Sequence, residues 1–106
     1  MKKRDAVSKK TSPLSDPIPR ELKIPVERVQ LGVRIEKRLS KVLKGIAESA
    51  DLTVGEMLEE ILLHSFVGAQ PFGREAQKKI EQLKAVYNLD YDAHASYRFE
   101  DKTKKQ

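Results

Sequence analysis

Two guanidinium groups and one amide recur at alternate positions in the stretch "RVQLGVRI", residues 28–35. Arg28, Gln30 and Arg34 fill three of its four polar positions, and Gly32 fills the fourth. Successive side chains of an extended chain point to opposite sides, so these four residues would share one face. That face offers several hydrogen-bond donors and no carboxylate, which suits an anionic partner.

The charge of the chain is unevenly distributed. The 106 residues have a formal net charge of +5. Residues 28–44 hold six lysines and arginines against one acid, whereas residues 45–68 hold five acids and no lysine or arginine. Such polarity indicates a binding face rather than a uniformly solvated surface, and we again expect an anionic partner.

The apolar residues between these polar ones predict a strand followed by a helix. Their alternation has the period of a half-buried β-strand. An apolar stripe with helical spacing then predicts a helix from about Glu36 to Ser49. The alternating apolar residues are Val29, Leu31, Val33 and Ile35.

A second helix is predicted to begin at Thr53. The letters "TVGE" are a capping box in which Thr53 and Glu56 satisfy each other's backbone N–H groups. Gly68 is the predicted stop, and Asp51 in the preceding turn tolerates a left-handed backbone. The predicted core consists of Leu31, Val33, Ile35, Leu39, Val42, Leu43, Ile46, Met57, Leu58, Ile61 and Leu62.

Two extensions flank this unit of residues 26–68. Residues 1–25 combine prolines with lysines and serines, which predicts a flexible basic arm. Residues 69–106 are predicted to hold a third helix from about Arg74 to Tyr87, ended by Asn88, and a frayed polar tail. The stretch "YDAHASYRF" between them fits either a strand or a short helix capped by Asp90.

Several function classes are not expected. The chain has no cysteine, and neither a nucleophile–base spacing nor a glycine-rich phosphate loop is found. His64, one turn after Glu60, and His94 are predicted to make surface pairs rather than metal sites. We therefore predict no enzyme, cofactor or metal. No apolar run could cross a membrane and the basic start lacks an apolar stretch, so a cytoplasmic protein is expected.

One strand and two helices, about 40 residues, bury too little apolar surface to fold alone. The predicted solution is a homodimer, in which two strands pair antiparallel across a two-fold axis and four helices share one core.

That layout resembles the ribbon-helix-helix family of DNA-binding proteins, the Arc and MetJ superfamily. The resemblance covers residues 28–66 and rests on "VQLGVRIEKRLSKVLKGIAESADLTVGEMLEEIL". It implies a mainly α fold with an intertwined dimer and a two-stranded antiparallel ribbon, here with a C-terminal helical extension. The alternative is a helical hairpin on which "VQLGVRI" simply packs.

The resemblance also implies DNA contacts. It places base contacts in the major groove on the outward residues Gln30, Gly32 and Arg34, since Gln can pair with adenine and Arg with guanine. Arg28 lies on the same outward face and is expected to add a fourth base contact. It places phosphate contacts on the start of the second helix, at Thr53, Val54 and Gly55. Lys37, on the first helix, is expected to add a further phosphate contact. The alternatives are an ordinary solvated face and a plain helix cap.

The resulting expectation is a homodimeric, sequence-specific binder of double-stranded DNA that acts as a repressor, with two dimers side by side on tandem half-sites. A second reading keeps the fold but gives a terminal extension a protein partner, as in antitoxins and plasmid-partition proteins. A third reading is a structural dimer that binds no DNA. All six aromatic residues lie between Phe66 and Phe99, so this segment either packs within the dimer or binds a partner.

Overall fold

Three α-helices of 13 residues each form the body of the protein in a computed structural model that describes residue 19 and residues 22–103. The helices are α1 (Lys37–Ser49), α2 (Val54–Phe66) and α3 (Arg74–Val86), and a turn of 3-10 helix follows at Ala93–Ala95. Most of the predicted arm, residues 1–25, lies outside the described residues. None of the helices in the described part is long and apolar enough to cross a membrane.

The ends of α2 are those that the sequence predicts. Thr53 Oγ1 accepts a hydrogen bond from the Glu56 N–H at 3.0 Å, and Glu56 Oε1 accepts one from the Thr53 N–H at 2.9 Å. These two bonds confirm the capping box. After the helix, Gly68 has a φ of +72°, a left-handed conformation that glycine adopts without steric cost.

The other two helices agree with their predicted extents to within one residue. Glu36 is the N-cap of α1 rather than its first residue, and Tyr87 is the C-cap of α3. Asp51 and Asn88 have φ values of 59° and 58°, so both adopt the left-handed backbone that ends a helix. Local sequence therefore determines where these helices begin and end.

The core is small and centres on α1, which packs against both α2 and α3. Helix α3 reaches it through Ile80 and Leu83, and Gly45 permits the approach because a Cβ there would lie 2.9 Å from Leu83 Cδ2. Fifteen large apolar side chains are exposed among the described residues. The buried side chains are Val42, Ile46, Ala47, Met57 and Leu89.

The predicted strand is not found, and the prediction of a ribbon-helix-helix fold is wrong. Residues 23–36 have no regular secondary structure, and the described residues contain no β-strand. Alternating apolar and polar residues favour an extended backbone, whereas a strand also needs a neighbour with which to exchange backbone hydrogen bonds. No described segment supplies that neighbour. The fold is three helices preceded by residues 23–36, which have no regular structure and which we call the extended segment after their predicted conformation.

The stretch "YDAHASYRF", residues 91–99, also forms no strand. Of the two predicted alternatives the short helix is found, as the single 3-10 turn Ala93–Ala95. Asp92 rather than Asp90 caps it, since Asp92 Oδ1 accepts a hydrogen bond from the His94 N–H at 3.0 Å. The chain then continues without regular structure along the start of α1.

Candidate nucleic-acid interface

Arg28, in the extended segment, is paired with Glu59 on α2. Arg28 Nε donates to Glu59 Oε2 at 2.7 Å, and Nη2 donates to Oε1 at 2.9 Å. Two parallel hydrogen bonds are the geometry with which arginine binds carboxylates and phosphates. The hydrogen bond, and then the opposite charge, raise the pKa of Arg28 and lower the pKa of Glu59. The two side chains are 61% and 45% exposed, so the contact is open to competition from solvent and ions.

Arg34, near the end of the extended segment, contacts the C-terminal segment, by which we mean residues 97–103. Arg34 Nη2 donates to Asp101 Oδ2 at 2.6 Å and to Thr103 Oγ1 at 2.8 Å. Asp101 Oδ1 accepts hydrogen bonds from the backbone N–H and the hydroxyl of Thr103. The hydrogen bond from Arg34, followed by those from Thr103, holds the pKa of Asp101 well below its usual range.

Gln30 and Gly32 lie between the two arginines and are exposed. A Cβ at Gly32 would meet no atom within 4 Å, and the residue has no positive φ, so none of the described residues requires glycine there. All four predicted base-contacting residues are thus on the surface of one extended stretch. Two of them, Arg28 and Arg34, are paired with acids of the same chain.

The predicted phosphate contacts lie at the starts of two helices. Lys37 is the exposed first residue of α1. At the start of α2, the Thr53 hydroxyl oxygen and N–H are both engaged in the capping box, and Gly55 is exposed beside them. Val54 packs against the core and is partly buried, so a contact between this residue and DNA would have to come from its backbone. The cap therefore accounts for Thr53 without DNA.

A cleft of about 650 Å³ lies between the extended segment, the start of α1 and the C-terminal segment. Four cationic side chains and three carboxylates line it, so its charges nearly balance. The cations are Arg34, Lys37, Arg38 and Lys102, and the carboxylates are Glu36, Glu100 and Asp101. Movement of an acid out of this cleft would leave it clearly basic.

Glu36 connects this cleft to the chain after α3. The Tyr91 hydroxyl donates to Glu36 Oε1 at 2.5 Å, and Arg38 Nε donates to Glu36 Oε2 at 3.0 Å. Partial burial alone raises the pKa of Glu36, but the hydrogen bonds from Tyr91, Arg38 and the Leu39 N–H outweigh it and lower this pKa to about 2. Burial and the same carboxylate raise the pKa of Tyr91 to about 12.

An apolar cavity of about 430 Å³ opens between α1, α3 and the chain that follows α3. Its walls include Leu39, Val42, Ile46, Phe72, Ile80 and Phe99. Of the predicted core residues, Val42, Ile46 and Met57 are buried and Leu43, Leu58 and Ile61 are partly buried within one chain. The remaining predicted core residues are exposed, namely Leu31, Val33, Ile35, Leu39 and Leu62.

The two histidines make local contacts. His64 Nδ1 lies 2.8 Å from the Glu60 carbonyl oxygen, and His94 Nδ1 lies 2.8 Å from Asp92 Oδ1. In the part of the chain that the structure describes, no three His, Cys, Asp or Glu side chains are grouped to hold a metal ion.

The sequence and fold match no protein-family model, no curated protein and no solved structure. The resemblance to ribbon-helix-helix proteins thus rests on the pattern of residues 28–66 alone.

Sequence reasoning missed the partners of both arginines. Glu59 and Asp101 are 31 and 67 positions from Arg28 and Arg34, and no local pattern links such distant residues. One signal was present for the first pair, because the cationic residues 28–44 precede the acidic residues 45–68. No comparable signal marks Tyr91 as the partner of Glu36.

Proposed function

We propose that the protein is a homodimeric, sequence-specific DNA-binding protein that represses transcription by occluding its site in the cytoplasm. The observation that supports this most directly is the exposure of Arg28, Gln30 and Arg34 on one short stretch of chain outside the helices. All three side chains are exposed, and among the described residues Arg28 is paired with Glu59 while Arg34 contacts Asp101 and Thr103.

The residue types fit the reading of DNA bases. Arginine can donate two hydrogen bonds to the O6 and N7 atoms of guanine, and glutamine can pair with N6 and N7 of adenine. Each such pair contributes roughly 1–3 kcal/mol of discrimination against the wrong base. Alternate residues of an extended chain are spaced along a line, as are successive bases of one strand.

Local charge favours the same partner. Residues 28–44 carry six cationic side chains against one acid, although the acids of α2 lie close in sequence. Exposed arginine–carboxylate pairs contribute little to stability, so DNA can displace Glu59 and Asp101 from the two arginines at small cost. Each lysine or arginine that neutralises a phosphate releases a bound counterion, and affinity should fall steeply with added salt.

A second copy of the chain accounts for the exposed apolar surface. Val29, Leu31 and Val33 are 79%, 72% and 63% exposed, and the apolar cavity is open to solvent. Apolar patches of this extent in soluble proteins mark interaction surfaces. A second copy offers both a complementary apolar segment and a matching cavity, so each dimer would display two rows of base-reading residues.

The decisive experiment is selection of bound duplexes from a randomised library at two salt concentrations, with the wild type and with Arg34→Ala. Arg74→Ala is the matched control, because Arg74 is also an exposed arginine but lies at the start of α3. We expect the wild type and Arg74→Ala to enrich the same short, near-palindromic or tandem consensus. Arg34→Ala should lose that preference while remaining folded.

Retention of the consensus by Arg34→Ala would contradict the assignment of base reading to the extended segment. If none of the three proteins enriches any sequence and all of them lose DNA together as the salt concentration rises, the chain is only a basic protein that attracts phosphates.

A further inference from the structure

We propose that the C-terminal segment is an internal competitor of DNA, with the Asp101 carboxylate occupying in the free protein the Arg34 guanidinium that DNA must engage. This inference rests on the proposed function and adds a regulatory contact to it. The contact joins residues that are 67 positions apart, with Asp101 Oδ2 at 2.6 Å and Thr103 Oγ1 at 2.8 Å from the same Arg34 nitrogen.

The Asp101 carboxylate is oriented by Thr103 as well as by Arg34. Asp101 Oδ1 accepts the Thr103 N–H at 3.0 Å and the Thr103 hydroxyl at 2.6 Å, which leaves Oδ2 for Arg34. Such a turn orients one carboxylate oxygen as a phosphate oxygen would be oriented toward a guanidinium. A side chain fixed in this way loses little further freedom when it pairs.

The chain before Asp101 is anchored, and this keeps the acid near Arg34. The Phe99 ring packs on the Tyr91 ring with centroids 5.1 Å apart, and the Tyr91 hydroxyl is bonded to Glu36. Glu36 is only two residues from Arg34. A tethered carboxylate therefore acts at a high effective concentration, although the pair itself is exposed.

Exposure makes the contact a competitor rather than a structural support. The Arg34 and Asp101 side chains are 70% and 39% exposed, so their pairing adds little to folding and is open to exchange. DNA would replace Asp101 at Arg34, and its phosphates would repel the freed acid. Departure of Asp101 also removes a negative charge from the cleft that Lys37, Arg38 and Lys102 share with Arg34.

The test compares Asp101→Asn with Glu75→Gln, a variant with the same charge change at an exposed acid in the first turn of α3. Affinity for a short duplex of random sequence is measured at low salt for the wild type, both variants, Arg34→Ala and the Arg34→Ala/Asp101→Asn double variant. We expect Asp101→Asn to bind about two- to fivefold more tightly than the wild type, and Glu75→Gln to differ much less. In the Arg34→Ala background, Asp101→Asn should bring no such gain, because the two residues act as a pair.

The inference is overturned, with the proposed function intact, if the wild type binds DNA and Asp101→Asn gains no more than Glu75→Gln. It is also overturned if Asp101→Asn gains equally with and without Arg34, since the effect is then general charge. If none of the proteins binds DNA, the proposed function fails and the inference fails with it.

Discussion

The Tyr91 hydroxyl donates a hydrogen bond to the Glu36 carboxylate, and this contact ties the chain after α3 to the cap of α1. The Glu36 carboxylate accepts from four donors, since it also receives the Arg38 side chain and the N–H groups of Arg38 and Leu39. The Arg38 guanidinium lies 5.2 Å from the centre of the Tyr91 ring, which adds a cation–π contact. The chain after α3 is therefore fixed to the start of α1, two residues from Arg34.

Replacement of Tyr91 by phenylalanine removes one of those donors and leaves the ring. We expect Tyr91→Phe to lower the free energy of unfolding by about 1 kcal/mol, because a partly buried carboxylate loses a hydrogen-bond partner. Urea denaturation would measure this. Tyr97→Phe is the control, since Tyr97 is fully exposed. Equal stability of the two variants would show that the Tyr91 hydroxyl contributes nothing to the fold.

The stability of the protein should fall in acid through Glu36. Its pKa is lowered from 4.5 to about 2 in the folded state, so its contribution is present above pH 4.5 and disappears as the pH approaches 2. We expect a contribution of about 2 kcal/mol, less than the full shift implies because 24% of the side chain is exposed. The measurement is the free energy of unfolding against pH for the wild type and Glu36→Gln.

Glu36→Gln should be less stable near neutral pH and should lose less stability between pH 4.5 and pH 2, the range that the pKa of Glu36 spans. Glu48→Gln, at an exposed acid on the same helix, serves as control and should follow the wild type. Parallel pH curves for Glu36→Gln and the wild type would contradict the role of Glu36.

Helix boundaries could be predicted from sequence because they depend on local chemistry. Thr53 and Glu56 are three residues apart and cap α2 in any context that allows a helix. Asp51, Gly68 and Asn88 have a left-handed backbone, and all three are residue types that tolerate this conformation. The spacing of apolar residues and the capping residues together thus predicted the ends of the three helices closely.

The fold and the pairing of the site could not be predicted in the same way. The alternation in residues 29–35 predicts an extended backbone, but it does not identify a neighbouring strand, and the described chain has none. Arg28 and Arg34 are exposed, as their residue type indicates, but the apolar residues between them are exposed as well, so the alternation did not predict which side chains are buried. Their partners Glu59 and Asp101 depend on how helices pack, and the attraction of opposite charges is not specific enough to choose them.

Removal of the Thr53 hydroxyl tests how much the capping box of α2 contributes to stability. We expect Thr53→Ala to destabilise the protein by about 1 kcal/mol, because the Glu56 N–H loses its acceptor at the start of α2. Thr53→Ser keeps the hydroxyl and should stay close to the wild type. Thermal unfolding measures both. A stable Thr53→Ala variant would mean that the capping box contributes nothing to this helix.

Val33 and Val86 allow a matched test of the proposed dimer contact. Both are exposed valines, at 63% and 68%, but only Val33 lies on the extended segment. We expect Val33→Ser to raise the dimer dissociation constant by about tenfold or more, because burial of a valine stabilises by about 1.5 kcal/mol or more. Val86→Ser should leave it unchanged. Sedimentation equilibrium measures the constant, and the same variants in a duplex-binding assay show whether DNA affinity falls with dimerisation. A Val33→Ser protein that dimerises like Val86→Ser would mean that the apolar side of the extended segment is not the dimer contact.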